Sequence, residues 1–140
     1  MTAEQNDADF FARAPWPTYR ERLLPIMEEV ALRNRHDFAK DVDDALLKGS
    51  AFLFVAEDGF LVLKASPREA VLWVTVMFAF NWGGNAIERY QANVEEMTRK
   101  IGGRGIELFT AVEALSSSLL ERGYVKREKA GNVRHWEKQL

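Results

Sequence analysis

Apolar residues along this chain recur first at helical spacing and then in short β-rich runs, and the change falls near residue 50. Leu23, Met27 and Val30, with Ile26 beside them, follow the three- and four-residue steps of one helix face. Thr18 and Glu21 stand ahead of them at the spacing of a capping box, just after Pro15-Trp16-Pro17, which holds the chain extended. The pattern predicts a helix from Thr18 with a kink or restart at Pro25, whose ring removes an amide hydrogen. A second helix is predicted from near Asp37 to Lys48, with Phe38, Val42, Ala45 and Leu46 on one face and Gly49 as its stop.

From Ala51 the period shortens. Residues 51–55 and 60–63 flank Asp58-Gly59, a hairpin signal. Ser66-Pro67-Arg68 reads as a break, and the near-continuous apolarity that starts at Val71–Val76 predicts a central strand buried on both faces. A long helix is predicted over 86–100, with Ile87, Tyr90, Val94, Met97 and Ile101 at alternating steps of three and four. Gly102-Gly103 ends it; a strand over 105–109, a helix over about 112–122 and a hairpin of 124–129 with 133–138 follow. The sum is an α/β domain with a mixed, mostly antiparallel central sheet and helices on both faces. The strands on either side of the long helix should run parallel through a right-handed crossover. Residues 18–140 form this one domain, and residues 1–17 an extended or disordered N-terminal segment. The core is predicted at Val30, Phe38, Phe54, Leu61, Leu72, Val74, Val76, Ile87, Tyr90, Met97, Ile106, Leu108, Leu115 and Leu119.

Composition narrows the chemistry. The 140 residues are 47% hydrophobic, enough for one core without staples. A chain with no cysteine has no disulfide, thiolate nucleophile or cysteine zinc site, and two histidines, His36 and His135, are too few for a histidine-rich metal centre. No metal is expected. A net charge of −2 argues against nucleic acid, which needs a cationic footprint. The longest apolar run, Ala70–Phe80, falls far short of the ~20 residues of a spanning helix. Met1–Asp9 carry three acids and no cation, unlike a secretory leader. No membrane segment and a cytoplasmic address are therefore expected. Charge is uneven, however: residues 122–140 hold six basic and two acidic side chains, so the C-terminal hairpin either has a solvated face or meets an acidic partner.

The loop after the central strand, Asn81-Trp82-Gly83-Gly84-Asn85-Ala86, has the small side chains that let backbone N–H groups approach phosphate oxygens. The helix that follows presents its unpaired amides and positive dipole end to the same anion. A Gly pair also simply permits a turn. In this loop, and in its order of elements from Thr18 to Leu140, the chain resembles the GNAT superfamily of acyl-CoA-dependent N-acyltransferases, apart from a first strand that the pattern does not locate. That family's pyrophosphate loop has the form Q/R-x-x-G-x-G/A; here Gly84 and Ala86 match and Asn81 stands at the first position. The resemblance implies an acetyl-CoA pyrophosphate over Asn81, Gly83, Gly84, Asn85 and Ala86, with pantetheine alongside Val74 and Val76.

The family's Asn-x-x-Ala-x-x-x-Tyr-x-x-x-Gly-Phe run is altered. Counting back from Gly123-Tyr124 places Leu119 at the Tyr that protonates the departing thiolate, with Leu115 and Val112 at the Ala and Asn positions. Ser117 and Ser118 are the nearby hydroxyls, although neither has an adjacent base in sequence. Glu107 is the best carboxylate for taking the amine proton, because the resemblance puts it where two strands part to admit pantetheine. An exposed acid or a pair with Arg104 is the plainer reading of Glu107, core or interface anchors that of Trp82 and Trp136, and an exposed or hydrogen-bonded ring that of His135.

Two functions follow from these expectations. One is an acyl-CoA-binding N-acetyltransferase whose amine attacks the thioester directly. The other is a GNAT-fold module without turnover, as in small phage- and prophage-encoded proteins of this outline. Such a virion or assembly component would have Leu119 in the core and the groove plugged by Phe78, Phe80 or Trp82.

Overall fold

The computed structural model describes residues 11–140. Strands β1 (Ala12–Ala14), β2 (Ala51–Ala56), β3 (Gly59–Arg68), β4 (Val71–Asn81), β5 (Gly105–Thr110), β6 (Val125–Ala130) and β7 (Val133–Gln139) form one sheet in the order β1-β2-β3-β4-β5-β7-β6. All neighbours are antiparallel except β4 and β5, which are parallel. Helices α1 (Trp16–Arg33) and α2 (Ala39–Lys48) pack on one face, and α3 (Ala86–Lys100) and α4 (Ser116–Glu121) on the other. The mixed, mostly antiparallel α/β architecture expected from the pattern is the one found. Among the described residues no helix is long and apolar enough to cross a membrane.

Strand alternation divides the core in two. Leu53, Phe60, Val62 and Phe78 meet Leu23, Met27 and Ala31 of α1 and Val42 and Leu46 of α2. Leu61, Leu63, Val74, Ile106 and Trp136 meet Tyr90 and Val94 of α3 and Leu119 of α4. Each large aliphatic side chain fully buried here contributes roughly 1.5–3 kcal/mol. Of the predicted core, Leu61, Val74, Tyr90, Ile106 and Leu119 are fully buried, while Val30, Phe38, Phe54, Val76, Ile87, Met97, Leu108 and Leu115 pack partly buried against these clusters. Leu72 is half-buried. An additional clamp joins the first two helices: Trp16 Nε1 donates to Asp43 at 2.8 Å, and Arg20 donates two further bonds at 2.8 Å.

Several boundaries differ from the pattern. The first strand is Ala12–Ala14, paired with Leu53–Val55 at the sheet edge. Of the N-terminal segment expected to be extended or disordered, residues 1–10 lie outside the described residues, Ala12–Ala14 is strand, and residues 16–17 open α1. Helix α1 starts at Trp16, not Thr18, with no side-chain cap, and passes through Pro25, whose missing donor lies on the exposed side. Strand β3 does not break at Ser66-Pro67-Arg68 but runs through it, because β2 pairs only as far as Lys64. Beyond that point β3 has no strand partner on that side among the described residues, and a proline without a donor is tolerated there. The turn to β4 is instead Glu69-Ala70, both with positive φ. The helix predicted over 112–122 is shorter, a 3-10 turn at Glu113–Leu115 followed by α4.

Candidate active site

Strands β4 and β5 pair only over Trp73–Val76 and Gly105–Leu108. Beyond Val76, β4 continues to Asn81 bonded to β3 alone, and beyond Leu108, β5 continues bonded to β7 alone. The register explains the parting. Val62 lies opposite Phe78 and Leu63 opposite Val76, so Met77 is an extra residue on β4, and a bulge bends its strand. Into the gap opens a cavity of about 320 Å³. Its wall includes Val76–Asn81 of β4, Gly84–Glu88 of the loop and the first turn of α3, Leu108–Thr110 of β5 with Ala111 and Val112 beyond it, and Val30, Arg33, Asn34, His36 and Phe38 from the end of α1 and the turn that follows. Phe38 stacks on Phe78 at 5.3 Å and Phe78 on Phe80 at 6.4 Å, so aromatics pave this wall without filling the space. Trp82 turns outward, 55% exposed, with its ring against Phe80 at 5.1 Å.

The loop after β4 is fixed from beneath. Asn81, 6% exposed, donates through Nδ2 to Asp58 at 2.8 Å and to the Tyr90 hydroxyl at 3.1 Å, while its Oδ1 accepts the Gly83 N–H at 2.7 Å. Tyr90 Oη and Arg89 Nε also donate to Asp58, at 2.8 and 3.0 Å. Burial pushes the Asp58 carboxyl up, but hydrogen bonds from Tyr90, Arg89 and Asn81 outweigh it and hold the group below the usual range. Burial, together with Asp58, raises the Tyr90 hydroxyl to about 12. Gly59 must be glycine here, since a Cβ would fall 2.0 Å from the Phe80 carbonyl oxygen and 2.3 Å from Tyr90 Oη.

Asn81 thus builds the loop with its whole side chain. Above it, Gly84 adopts φ +77 with open space where a side chain would be, so the backbone is bare at the cavity wall. Helix α3 begins at Ala86 without a side-chain cap. Glu88 in its first turn accepts a hydrogen bond from Ser118 and a second from its own N–H; in that order these hold its carboxyl below the usual range.

Glu107 lies on the sheet face opposite Ile106 and Leu108. It accepts bonds from Arg68 at 2.5 Å and Thr75 at 2.7 Å, and contacts His135 Nε2 at 2.9 Å. Arg68 also reaches Glu137 at 2.5 Å, and Arg127 bonds Glu137 at 3.0 Å. Burial pushes both carboxyls up, but these donors prevail and keep Glu107 and Glu137 below the usual range. The ligand atoms of Glu107, His135 and Glu137 all lie within 4.8 Å of one another, spacing that suits a cation, and the Arg68 guanidinium supplies positive charge to both carboxylates. Glu107 is not among the residues that line the cavity, nor are Ser117 and Ser118. Ser117 is exposed, Ser118 is bonded to Glu88, and Leu119 is fully buried. Val74 is buried in the core, whereas Val76, Gly84, Asn85 and Ala86 line the cavity.

Basic residues of the C-terminal hairpin are largely spent within the molecule: Arg127 on Glu137, Lys129 on Glu113 and Lys138 on Glu95. The pattern gave no sign of Asp58 as the anchor of the loop beyond its Asp-Gly turn signal. It gave none of Arg33 and His36 as cavity residues, because only the register of distant strands brings them to the cleft.

No protein-family model matches the chain, and no curated protein sequence does. Solved structures resemble it over nearly its full length. An acetyltransferase from Streptococcus agalactiae 2603 shares 12% identity over 94% of this chain and 99% of that one, with a TM-score of 0.63. A GNAT-family acetyltransferase from Listeria monocytogenes 4b F2365 shares 14% over 93% and 95%, with a TM-score of 0.59. The PaiA N-acetyltransferase from Thermoplasma acidophilum, solved in complex with coenzyme A, shares 13% over 89% and 85%, with a TM-score of 0.52. The chain has the GNAT fold.

Proposed function

We propose that this protein is a divergent GNAT-type N-acetyltransferase that binds acetyl-CoA in the β4–β5 cleft and passes the acetyl group to an amine. The observation that carries this reading is the open cavity between the parted strands, bordered at one end by the bare backbone of Gly84 and the uncapped start of α3. Asn85 and Ala86 would hold the pyrophosphate through backbone N–H groups, on a turn that Gly83 and Gly84 shape with their own N–H groups bonded back to Asn81, and the pantetheine arm would lie against Val76, with Val74 supporting it from the core. Acetyl-CoA supplies an acyl group on a thiol leaving group. With no cysteine in the chain and with Ser118 committed to Glu88, the amine attacks the thioester itself. Backbone of β4 beyond Val76, released from the ladder to β5, offers N–H groups to the carbonyl oxygen as charge develops on it. Leu119 cannot protonate the leaving thiolate; a thiol of ordinary pKa near ~8.5 takes its proton from water.

In this proposal Glu107 serves by fixing Thr75 and the β4–β5 register, and Asn81 by shaping the loop. The rival, a module without turnover, draws on Leu119 in the core and on the carboxylate of Glu88 already seated at the start of α3; the unplugged cavity favours the acyl-CoA reading. A phage setting is a further part of the proposal, and the neighbourhood of the coding sequence tests it. Titration of ¹⁵N-labelled protein with acetyl-CoA tests the binding directly. The amides of Gly84, Asn85, Ala86, Val76 and Leu108 should shift together, and folded protein that shows no shifts at high micromolar acetyl-CoA would end the reading.

A further inference from the structure

Part of the cavity wall is made by the end of α1 and the turn between α1 and α2. Among the described residues, the ionisable side chains lining the cavity are Arg33, His36 and Glu88, and Glu88 is committed to Ser118 and its own N–H at the α3 end. Neither the Arg33 guanidinium nor the His36 ring has a hydrogen-bond or ion-pair partner among the described residues. The turn that carries them is held firmly. His36 N–H donates to Ala31 O at 3.0 Å, and Asn132, in the β6–β7 turn, donates to the carbonyls of Asn34 and Arg35, each at 3.2 Å. Arg35 sits at φ +52, a conformation that L side chains rarely adopt and that persists where the surroundings impose it, often beside a working site. The His36 ring meets Phe38 edge-on at 5.2 Å, and Phe38 stacks on Phe78 of β4, so a continuous row of rings leads from the turn to the place where β4 and β5 part.

We infer that this turn is the acceptor site: His36 takes the proton of the attacking amine, and Arg33 holds an anionic group of the same molecule, so the acceptor is a compact amine bearing a carboxylate or phosphonate. The inference rests on the acetyltransferase reading. Burial pushes the His36 imidazole below its ordinary value, with Asp37 opposing, so the ring is neutral and able to accept a proton at pH 7. Arg33, in the last turn of α1, attracts an anion and repels a polyamine or a lysine side chain. The clasp from Asn132 ties the β6–β7 turn to the carbonyls of Asn34 and Arg35 and so fixes the backbone between Arg33 and His36. In the reaction, the amine nitrogen bonds to the acyl carbon and the carbon–sulfur bond breaks, its electron pair leaving on sulfur. The N–H proton passes to His36 and from there, through water, to the thiolate.

The test compares glycine, aspartate and 2-aminoethylphosphonate with ethanolamine and putrescine. Transfer is followed by release of the CoA thiol, and binding without acetyl-CoA by shifts of the His36 ring protons. The anionic amines should give kcat/KM at least tenfold above the others and should shift the ring by themselves. Arg33→Gln should raise KM for the anionic amines at least tenfold with kcat little changed and leave ethanolamine unaffected. His36→Ala and His36→Gln should both lower kcat at least a hundredfold, and added imidazole should recover part of the loss in His36→Ala. A preference for putrescine, an Arg33→Gln variant with the wild-type ranking, or full kcat without His36 would overturn the inference. If acetyl-CoA binds by calorimetry but no anionic amine shifts the ring, the acceptor site is wrong and the acyltransferase reading survives. If acetyl-CoA does not bind, both fall.

Discussion

The Asp58–Asn81–Tyr90–Arg89 network and the Arg68–Glu107–His135–Glu137 network are alike in make-up: each joins carboxylate, arginine and a ring-bearing side chain across several elements. Their positions differ. The first lies directly beneath the loop at the cavity wall and ties the β2–β3 turn to the end of β4 and the start of α3. The second lies where β4 and β5 are still paired, and braces β3, β5, β6 and β7 on the face that α1 and α2 leave uncovered. A cluster with histidine and two glutamates has the look of chemistry, yet its charges compensate one another, whereas the network that looks like mere turn geometry exposes a bare backbone to the cleft. Which residues border open space separates the two, and residue type does not.

Arg68→Met breaks the comparison most severely. It leaves Glu107 and Glu137, only 12% and 13% exposed, without their shared guanidinium, and such a loss costs about 3 kcal/mol, toward the low end because Arg68 itself is 35% exposed. A urea midpoint should fall accordingly, while acetyl-CoA binding by the remaining folded protein should be unchanged. Asp58→Ala has the opposite signature. Its stability cost is smaller, about 1 kcal/mol after solvent screening of a half-exposed acid, but the loop loses its anchor and acetyl-CoA affinity should drop by about tenfold. Equal effects of the two variants on binding would erase the distinction between the networks.

The same contrast has a pH dependence. Glu107 and Glu137 have folded pKa values below the unfolded value of about 4.3, so their contribution is complete above that value and is lost as pH falls through the depressed folded values. Urea midpoints measured from pH 7 to pH 3 should decline below about pH 4.3, with a shallower slope in Glu107→Gln. A smaller effect belongs to the cleft itself. Glu88 places negative charge at the α3 start, where the pyrophosphate is proposed to lie, so Glu88→Gln should tighten CoA binding by about two- to fivefold, the equivalent of ~0.3–1 kcal/mol at a helix end. Weaker binding in that variant would place the phosphates elsewhere.

Elements governed by local chemistry were legible in the sequence. Helix α3 begins and ends where its apolar stripe and the glycines at 102–103 put it, and the β2–β3 hairpin forms where its signal lies, with the turn one residue early at Glu57-Asp58 and Gly59 already in β3. What depended on partners was not. Strand β1 is three residues of ordinary composition made into a strand by pairing with β2. Pro67 read as a break because the shortness of β2, which frees its edge, is invisible in the residues around it. The turn at Glu69-Ala70 has positive φ without glycine or asparagine. In the cleft, the glycine loop could be found from its side-chain sizes, but the parting of β4 from β5 depends on one extra residue at Met77, and a bulge has no sequence mark of its own. His36 reaches the cavity only through the tertiary contact of α1 with the sheet.

The central claim is that the bare loop between β4 and α3 holds the phosphates of an acyl-CoA. Calorimetric titration of CoA into wild-type protein, Gly84→Trp and Glu107→Gln, each shown to be folded by circular dichroism, tests it most directly. Gly84 has open space around it, so a large side chain there obstructs the cavity without displacing the core, beyond the strain of its positive φ. The account predicts binding by the wild type and by Glu107→Gln, and loss of at least tenfold in affinity in Gly84→Trp. No heat with the wild type at high micromolar CoA, or equal affinity in wild type and Gly84→Trp, would contradict it.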